Sequence, residues 1–462
     1  MSAIELGKQN NNKLIHLFSR IGEWFRHTPI SEIYLYFVLL TYPILPAYFV
    51  LFGVRVTTLI AAGCIIFLFT TPNFYNLRIA GPKIALILSI FTLYAFSAIF
   101  NNELFSSGFM SFLCNYFIVP LYFAVIVDTR KKFDSCATIL ILSGLLLCGL
   151  SILELMFHYN IFSIIETVDM GAIGSGSVVR FGIYRIESSF GQAIAFAIYL
   201  SFIVCLVAYK LYSPVNQTNR RQNFYLLVLL ILNVFIFLTS SRFPIVVTLV
   251  ADIVLFIKLK KRSKIKVLIA MCFVAAAIAA YTIIKGGSTF TSLFDNIISI
   301  FEGDTTKASE DSSGYRLSLY DFSKKVIGND YIFGRGLHVN TTFTFISQYY
   351  GLFKSTSFDN GYIYLFLQQG FAGVIAWIIF CYAIISSAIL SYKKRFNDDI
   401  NFPILVMIFI CLLNMFSVAR LDESRMFMVI IGAYLGLDFH IYRIEETKSK
   451  KTRRSPQGAF AS

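Results

Sequence analysis

Twelve apolar runs follow one another along this chain, near 33–52, 56–71, 83–100, 109–127, 136–157, 189–209, 223–240, 243–257, 265–284, 361–391, 402–418 and 424–440. About 20 apolar residues in a helix cross the roughly 30 Å of hydrocarbon in a bilayer, so such a series leaves little choice of fold. The expectation is an all-α polytopic membrane protein with about 12 transmembrane helices. The second and eighth runs are short, and the tenth is long enough to tilt or protrude. Only 14% of the residues are charged, against about 25% in a soluble domain, which excludes an ordinary water-soluble fold.

The formal net charge of +14 would suggest nucleic acid in a soluble protein. Here the basic residues lie in alternate connections: Arg78 and Lys83, Arg130 to Lys132, Lys210 with Arg220 and Arg221, Lys258 to Lys266, and Lys393 to Arg395. That alternation is a topology signal, so both termini are expected in the cytoplasm and no nucleic-acid partner is implied. The chain divides into a cytoplasmic amphipathic segment (1–30), helices one to nine (31–284) with a periplasmic loop at 158–188, a large periplasmic loop (285–358), helices ten to twelve (359–441) and a basic cytoplasmic tail (442–462). The polar start argues against a cleavable signal peptide. The large loop is expected to be partly helical, because 290–301 and 316–326 space their apolar residues by three and four. A loop of that length in a compact protein is usually functional. The eight cysteines fall in or beside apolar runs with no CxxC, and the five histidines form no HxxH or HxxxH pair. No disulfide, metal or cofactor is expected.

Arginines at the outer ends of spans carry the first hint of chemistry, since the positive-inside rule empties that face and a planar guanidinium suits phosphate. Snorkelling or a loop ion pair is the plainer explanation for any one of them. Arg242 follows Ser240 and Ser241 in a tight turn that would hold it at the membrane surface, where a lipid-linked diphosphate sits. The loop VVRFGIYRIESSFG sets Arg180, Arg185 and Glu187 before a helix expected to start at Ser188 or Ser189. That is either a phosphate cradle at a helix N-terminus or a cap by Ser188 with a Glu187–Arg185 pair. In GNDYIFGRGLH, Gly334 and Gly336 would let backbone approach a ligand, with Arg335 and His338 in polar reach. Asp359 and Asn360 stand just outside the tenth span, Asp359 either as a helix cap or as a base toward a sugar hydroxyl. Glu154 and Asp252 are acids within spans, and Asp252 reads as a structural pairing residue.

The pattern resembles the bacterial O-antigen polymerase (Wzy-type) and O-antigen ligase superfamily of inner-membrane glycosyltransferases. An arginine-bearing helix with Arg316 is followed by Gly334-Arg335-Gly336, then Asp359-Asn360, then Gly370 to Gly373. Ser241-Arg242 is similar to the family's Ser/Thr-Arg turn, and Arg180 followed after ten residues by Gly191 is similar to its Arg-x10-Gly spacing. Arg316 misses that spacing, because Gly328 comes one residue too late. Asp359-Asn360 stands where the ligases carry His-Asn, which leans the resemblance toward polymerase. It implies that undecaprenyl-diphosphate-linked repeat units are joined at the periplasmic face of the inner membrane. Arg180, Arg185 and Arg242 would hold the diphosphate and Arg316 and Arg335 would close the site. Asp359 or His338 would be the base, with Gly334, Gly336 and Asn360 lining the substrate. Membrane lipids, a chain-length regulator and a flippase are the implied partners. The alternatives are a ligase transferring polymer to lipid A core, or a flippase or exporter of the lipid-linked oligosaccharide.

Overall fold

The structure, a computed structural model, describes residues 28–46, 48–71, 94–167, 179–180, 183–213, 218–269, 323–336, 343–347, 351–355, 360–394, 399–416 and 425–438. The helices among the described residues are α1 Ile30–Ile44, α2 Val56–Thr70, α3 94–100, α4 Gly108–Ile126, α5 Arg130–Phe157, α6 Ala193–Tyr212, α7 Asn219–Leu238, α8 Arg242–Lys258, α9 261–269, α10 Gly361–Lys394, α11 Asn401–Asn414 and α12 425–438; most of the apolar runs at 83–100 and 265–284 lies outside them. Five stretches (α4 to α7, and Gly361–Ser391 within α10) are long and apolar enough to cross a bilayer, and α1, α2 and α11 are shorter apolar helices. The chain is a membrane protein. Central α6 is 94% buried over its apolar window and is packed by α5, α7, α8 and α11. Small hydroxyls stitch it in place: Tyr199 to Ser143 of α5 at 2.7 Å and Ser201 to Thr248 of α8 at 2.6 Å. All seven cysteines among the described residues are buried and free.

Three departures from the apolar pattern have local causes. The first run is expected to reach residue 52, but α1 stops at Ile44, one residue past its internal Pro43 and just before Pro46. The remaining apolar residues form a hairpin instead, β1 Val50–Leu51 against β2 Val54–Arg55. Its tip, Phe52 (φ 54°) and Gly53 (φ 77°), is left-handed at both positions, as a two-residue hairpin turn of the primed type requires. In α4 the segment Leu113–Ile118 widens to a π-helix, ending with Val119 N–H donating to Cys114 O beside Pro120. A proline supplies no N–H to the ladder, which accommodates the shifted register there. The third departure is the break in α10 at Gly370 (φ 62°, ψ −158°); the sequence reads there as one long continuous run.

The connections also contain two further antiparallel hairpins, β3 Val179–Arg180 with β4 Ile183–Tyr184 and β5 Phe343–Ser347 with β6 Gly351–Ser355. They add small strands to a bundle expected to be purely helical. In the large loop a short helical turn covers 323–327. The expected helix at 290–301, most of 316–326, most of the N-terminal amphipathic segment and the basic tail lie outside the described residues.

Candidate functional site

One end of the bundle gathers the C-terminal ends of α1, α5, α7 and α11 with the N-terminal ends of α6, α8, α10 and α12. Main-chain contacts fix that arrangement. Ser189 Oγ donates to Pro43 O at 2.6 Å, Gly361 N–H to Met415 O at 2.6 Å, and Arg425 to Leu45 O at 3.3 Å, with its guanidinium 5.2 Å from the Tyr42 ring centre. The Thr167 hydroxyl lies 3.0 Å from Val50 O, tying the 158–167 segment to the β1–β2 hairpin.

At this end Arg185 closes on the turn that leads into α8. Its Nε donates to Thr239 O at 3.1 Å and its terminal NH2 to Ser241 Oγ at 3.1 Å. Ser240, inside that turn, is left-handed at φ 51°, and Arg242 is the first residue of α8. Two arginines separated by more than fifty residues of sequence thus meet at one three-residue turn. Arg180 sits in β3 opposite Ile183, five residues upstream of Arg185 along the same loop.

The start of α6 lacks the Ser188 cap that the sequence offers as one alternative. Ser188–Phe190 is a single 3-10 turn, Gly191 follows at φ 61°, and α6 begins at Ala193. No hydroxyl of Ser188 caps it; that oxygen is buried without a hydrogen bond. Instead the N–H groups of Glu187 and Ser188 both donate at 3.0 Å to the carboxylate of Glu154, which is 2% exposed near the end of α5. A buried carboxylate that accepts two main-chain N–H groups is satisfied, so Glu154 anchors the arginine loop. Asn160 strengthens the same corner by donating to Ser188 O at 2.9 Å.

Glu187 feels that anchor. Burial, then the neighbouring Glu154 charge, lift its carboxyl from the usual range to about 7, with Arg185 pulling the other way. The phenol of Tyr48, facing Glu166, Glu154 and Glu187, is likewise pushed up, chiefly by burial. Because the folded state binds the Glu187 proton more tightly than the unfolded chain, this stabilisation is complete below the ordinary carboxylate pKa of about 4.3 and is lost as pH rises through about 7. Glu187→Gln should therefore remove a component of pH-dependent stability on the order of 3 kcal/mol. Thermal midpoints of both proteins across that window check this, and parallel curves would show that Glu187 does not titrate there.

A second group forms at the α10 break. Residues 330–336 enter it and pair with both severed ends. Arg335 N–H donates to Leu367 O at 2.8 Å and Gly336 N–H to Gln368 O at 2.9 Å. In return Phe371 N–H donates to Tyr331 O at 2.8 Å and Ala372 N–H to Ile332 O at 3.0 Å. From α3, Ser97 donates to Phe333 O at 2.6 Å and Asn101 to Gly334 O at 3.3 Å. Non-helical backbone inside a membrane protein persists only when its polar groups are satisfied, and the loop supplies those partners. A Cβ on Gly334 would meet Gln368 O at 2.5 Å, and one on Gly370 would meet the Ile332 carbonyl at 2.5 Å. The Arg335 side chain is half-exposed and pairs with Asp330 at 3.2 Å, an exposed pair of little net strength that is available for exchange. Asn360 caps the first half of α10, its Oδ1 accepting from Tyr362 N at 3.0 Å and Ile363 N at 3.2 Å.

Of the residues singled out in the sequence, Arg185 and Arg242 come together at the Thr239–Ser241 turn, while Gly334, Arg335 and Gly336 come together at the α10 break, with Asn360 at the start of that helix. Arg316, His338 and Asp359 lie outside the described residues. Glu154's role as anchor could be suspected from an acid in an apolar run, but its partners are main-chain groups that no spacing reveals. Asp252 of α8 lies beside Asn233 of α7.

With this geometry in hand, the family model described as O-antigen ligase matches residues 226–378. The matched segment starts within α7, includes the Thr239–Ser241 turn and α8, and ends inside α10 beyond its break. It supports placement in the O-antigen polymerase and ligase superfamily, whose members are glycosyltransferase-like enzymes of polysaccharide or lipopolysaccharide assembly. No curated protein matches the chain.

Proposed function

We propose that this protein is a polymerase that joins undecaprenyl-diphosphate-linked oligosaccharide repeat units at the periplasmic face of the bacterial inner membrane, with both termini in the cytoplasm. The observation that carries the reading is the Arg185 fork on the Thr239–Ser241 turn, which brings two arginines to the N-terminus of α8. Helix N-termini and guanidinium groups both favour phosphate oxygens, and a lipid diphosphate needs no nucleotide or metal to hold its charge when arginines do so.

In the proposed step an acceptor hydroxyl oxygen attacks the anomeric carbon of the lipid-linked glycan. The bond from that carbon to the diphosphate oxygen breaks, the electron pair leaves with undecaprenyl diphosphate, and the hydroxyl proton passes to a base. Arg180, Arg185 and Arg242 stabilise the charge growing on the leaving group. Asp359 or His338 takes the proton. Arg316 joins these near the transferred sugar, and Arg335 exchanges Asp330 for the substrate. Gly334 and Gly336 hold the loop against α10, and Asn360 orders the start of that helix. A flippase delivers the substrate, and a chain-length regulator sets the extent of polymer.

The second reading is an O-antigen ligase, favoured by the description of the matching family; donor and leaving group are the same, and the acceptor is lipid A core. The surface glycan profile of a deletion strain, restored with wild type or Arg316→Ala, separates the two. A ladder collapsing to core plus one repeat supports the polymerase. Core without glycan, alongside lipid-linked polymer inside, supports the ligase; an unchanged ladder overturns both.

A further inference from the structure

The far end of α7 holds a cavity that the glycan chemistry does not use. Asn219 begins a 20-residue helix, so at 1.5 Å per residue the cavity lies about 30 Å from the Thr239–Ser241 turn. Its volume is about 610 Å³, and its polar lining comes from Asp134 at the start of α5, Lys210 at the end of α6, and Arg220 and Arg221 in the first turn of α7. Lys210 is 4% exposed, with Nζ 2.8 Å from Asp134 Oδ1, and the Tyr209 hydroxyl donates to the same oxygen at 2.7 Å. Three cations therefore face one carboxylate, and that carboxylate is already engaged by Lys210 and Tyr209. Neither Arg220 nor Arg221 forms an ion pair among the described residues, and no side chain caps this end of α7.

Basic residues at span ends are ordinary topology signals, and exposed arginines alone would mean no more than that. The concave basic lining, the buried lysine in its wall and the uncapped helix end set this open pocket apart. Below the arginines, Phe224 (48% exposed) and Leu227 (55% exposed) continue along α7 at a spacing of three. A charged mouth with an apolar strip beneath it matches a headgroup and an acyl chain.

We infer that this crevice binds a phosphate anion, and that its carrier is the headgroup of an anionic phospholipid, with a chain lying along Phe224 and Leu227. Arg220, Arg221 and the N-terminal N–H groups of α7 contact the phosphate, and Lys210 supplies the buried charge behind it. The inference does not depend on the reaction proposed above.

The test uses the full chain purified in an uncharged detergent and reads its thermal midpoint while phosphatidylglycerol, phosphatidylcholine or inorganic phosphate is added. Phosphatidylglycerol should raise the midpoint saturably. Each headgroup-facing arginine contributes enough that the half-effective lipid concentration should rise roughly thirtyfold in Arg220→Ala/Arg221→Ala. Lys260→Ala/Lys261→Ala, which removes two exposed cations at the start of α9, should respond like wild type. An equal response to phosphatidylcholine, an unchanged response in the arginine double variant, or an equal loss in the lysine double variant would overturn the site. A full response to inorganic phosphate alone would keep the anion site and overturn the lipid assignment.

Discussion

Gly370→Ala should cost roughly 3–6 kcal/mol and leave little folded protein after extraction. With φ 62° and ψ −158°, Gly370 occupies a region open in practice to glycine alone, worth about 1–3 kcal/mol of strain for any other residue. The new methyl group would also press on the Ile332 carbonyl, 2.5 Å from its Cβ. Relief of that clash moves the loop away from α10 and endangers the four main-chain hydrogen bonds across the break, each worth about 1 kcal/mol net and more if its groups are left unpaired. Gly149→Ala is the matched control, because it lies within α5 and a Cβ there meets nothing within 4 Å. That change should be neutral or slightly stabilising. Thermal unfolding of the two variants side by side decides the matter, and similar midpoints would mean that the loop does not hold the break together.

Arg242→Ala should have the opposite signature, with folding kept and product lost. A cation in the first turn of a helix faces the positive end of the dipole, so its removal should change stability by no more than about 1 kcal/mol in either direction. If that guanidinium holds the leaving diphosphate, polymer formation should fall by about 10²–10³, as when one preorganised donor is taken from a developing charge. Arg185→Ala should lose comparable activity and some stability as well, because it also removes the fork to Thr239 and Ser241. The checks are the midpoint of each purified variant and incorporation of lipid-linked repeat units into polymer. Full activity in Arg242→Ala would remove it from the diphosphate site.

The helices were legible because hydropathy reports burial and length directly. Whether an apolar residue helps cross a bilayer or turns a hairpin depends on small local features, and Pro43 with Phe52 and Gly53 decided that at the end of α1. Gly370 was hidden for a different reason. In sequence it is one more glycine in an apolar helix, and its partner loop lies more than thirty residues upstream. The GxG pattern at Gly334 to Gly336 pointed at a close main-chain approach, and Gly334 makes one against α10. The serine–arginine turn was visible at Ser241 and Arg242, whereas Arg185 joins it only through tertiary packing. The basic crevice combines Asp134, Lys210, Arg220 and Arg221 from three helices, each ordinary in its own segment.

During synthesis, residues 330–336 leave the ribosome before the helix they mend. The carbonyls of Tyr331 and Ile332 wait for N–H groups not yet made. Only after Phe371 and Ala372 emerge can the earlier loop fold back and claim its place. The hydrogen bonds that satisfy the break in α10 therefore form only once both halves of that helix have been made.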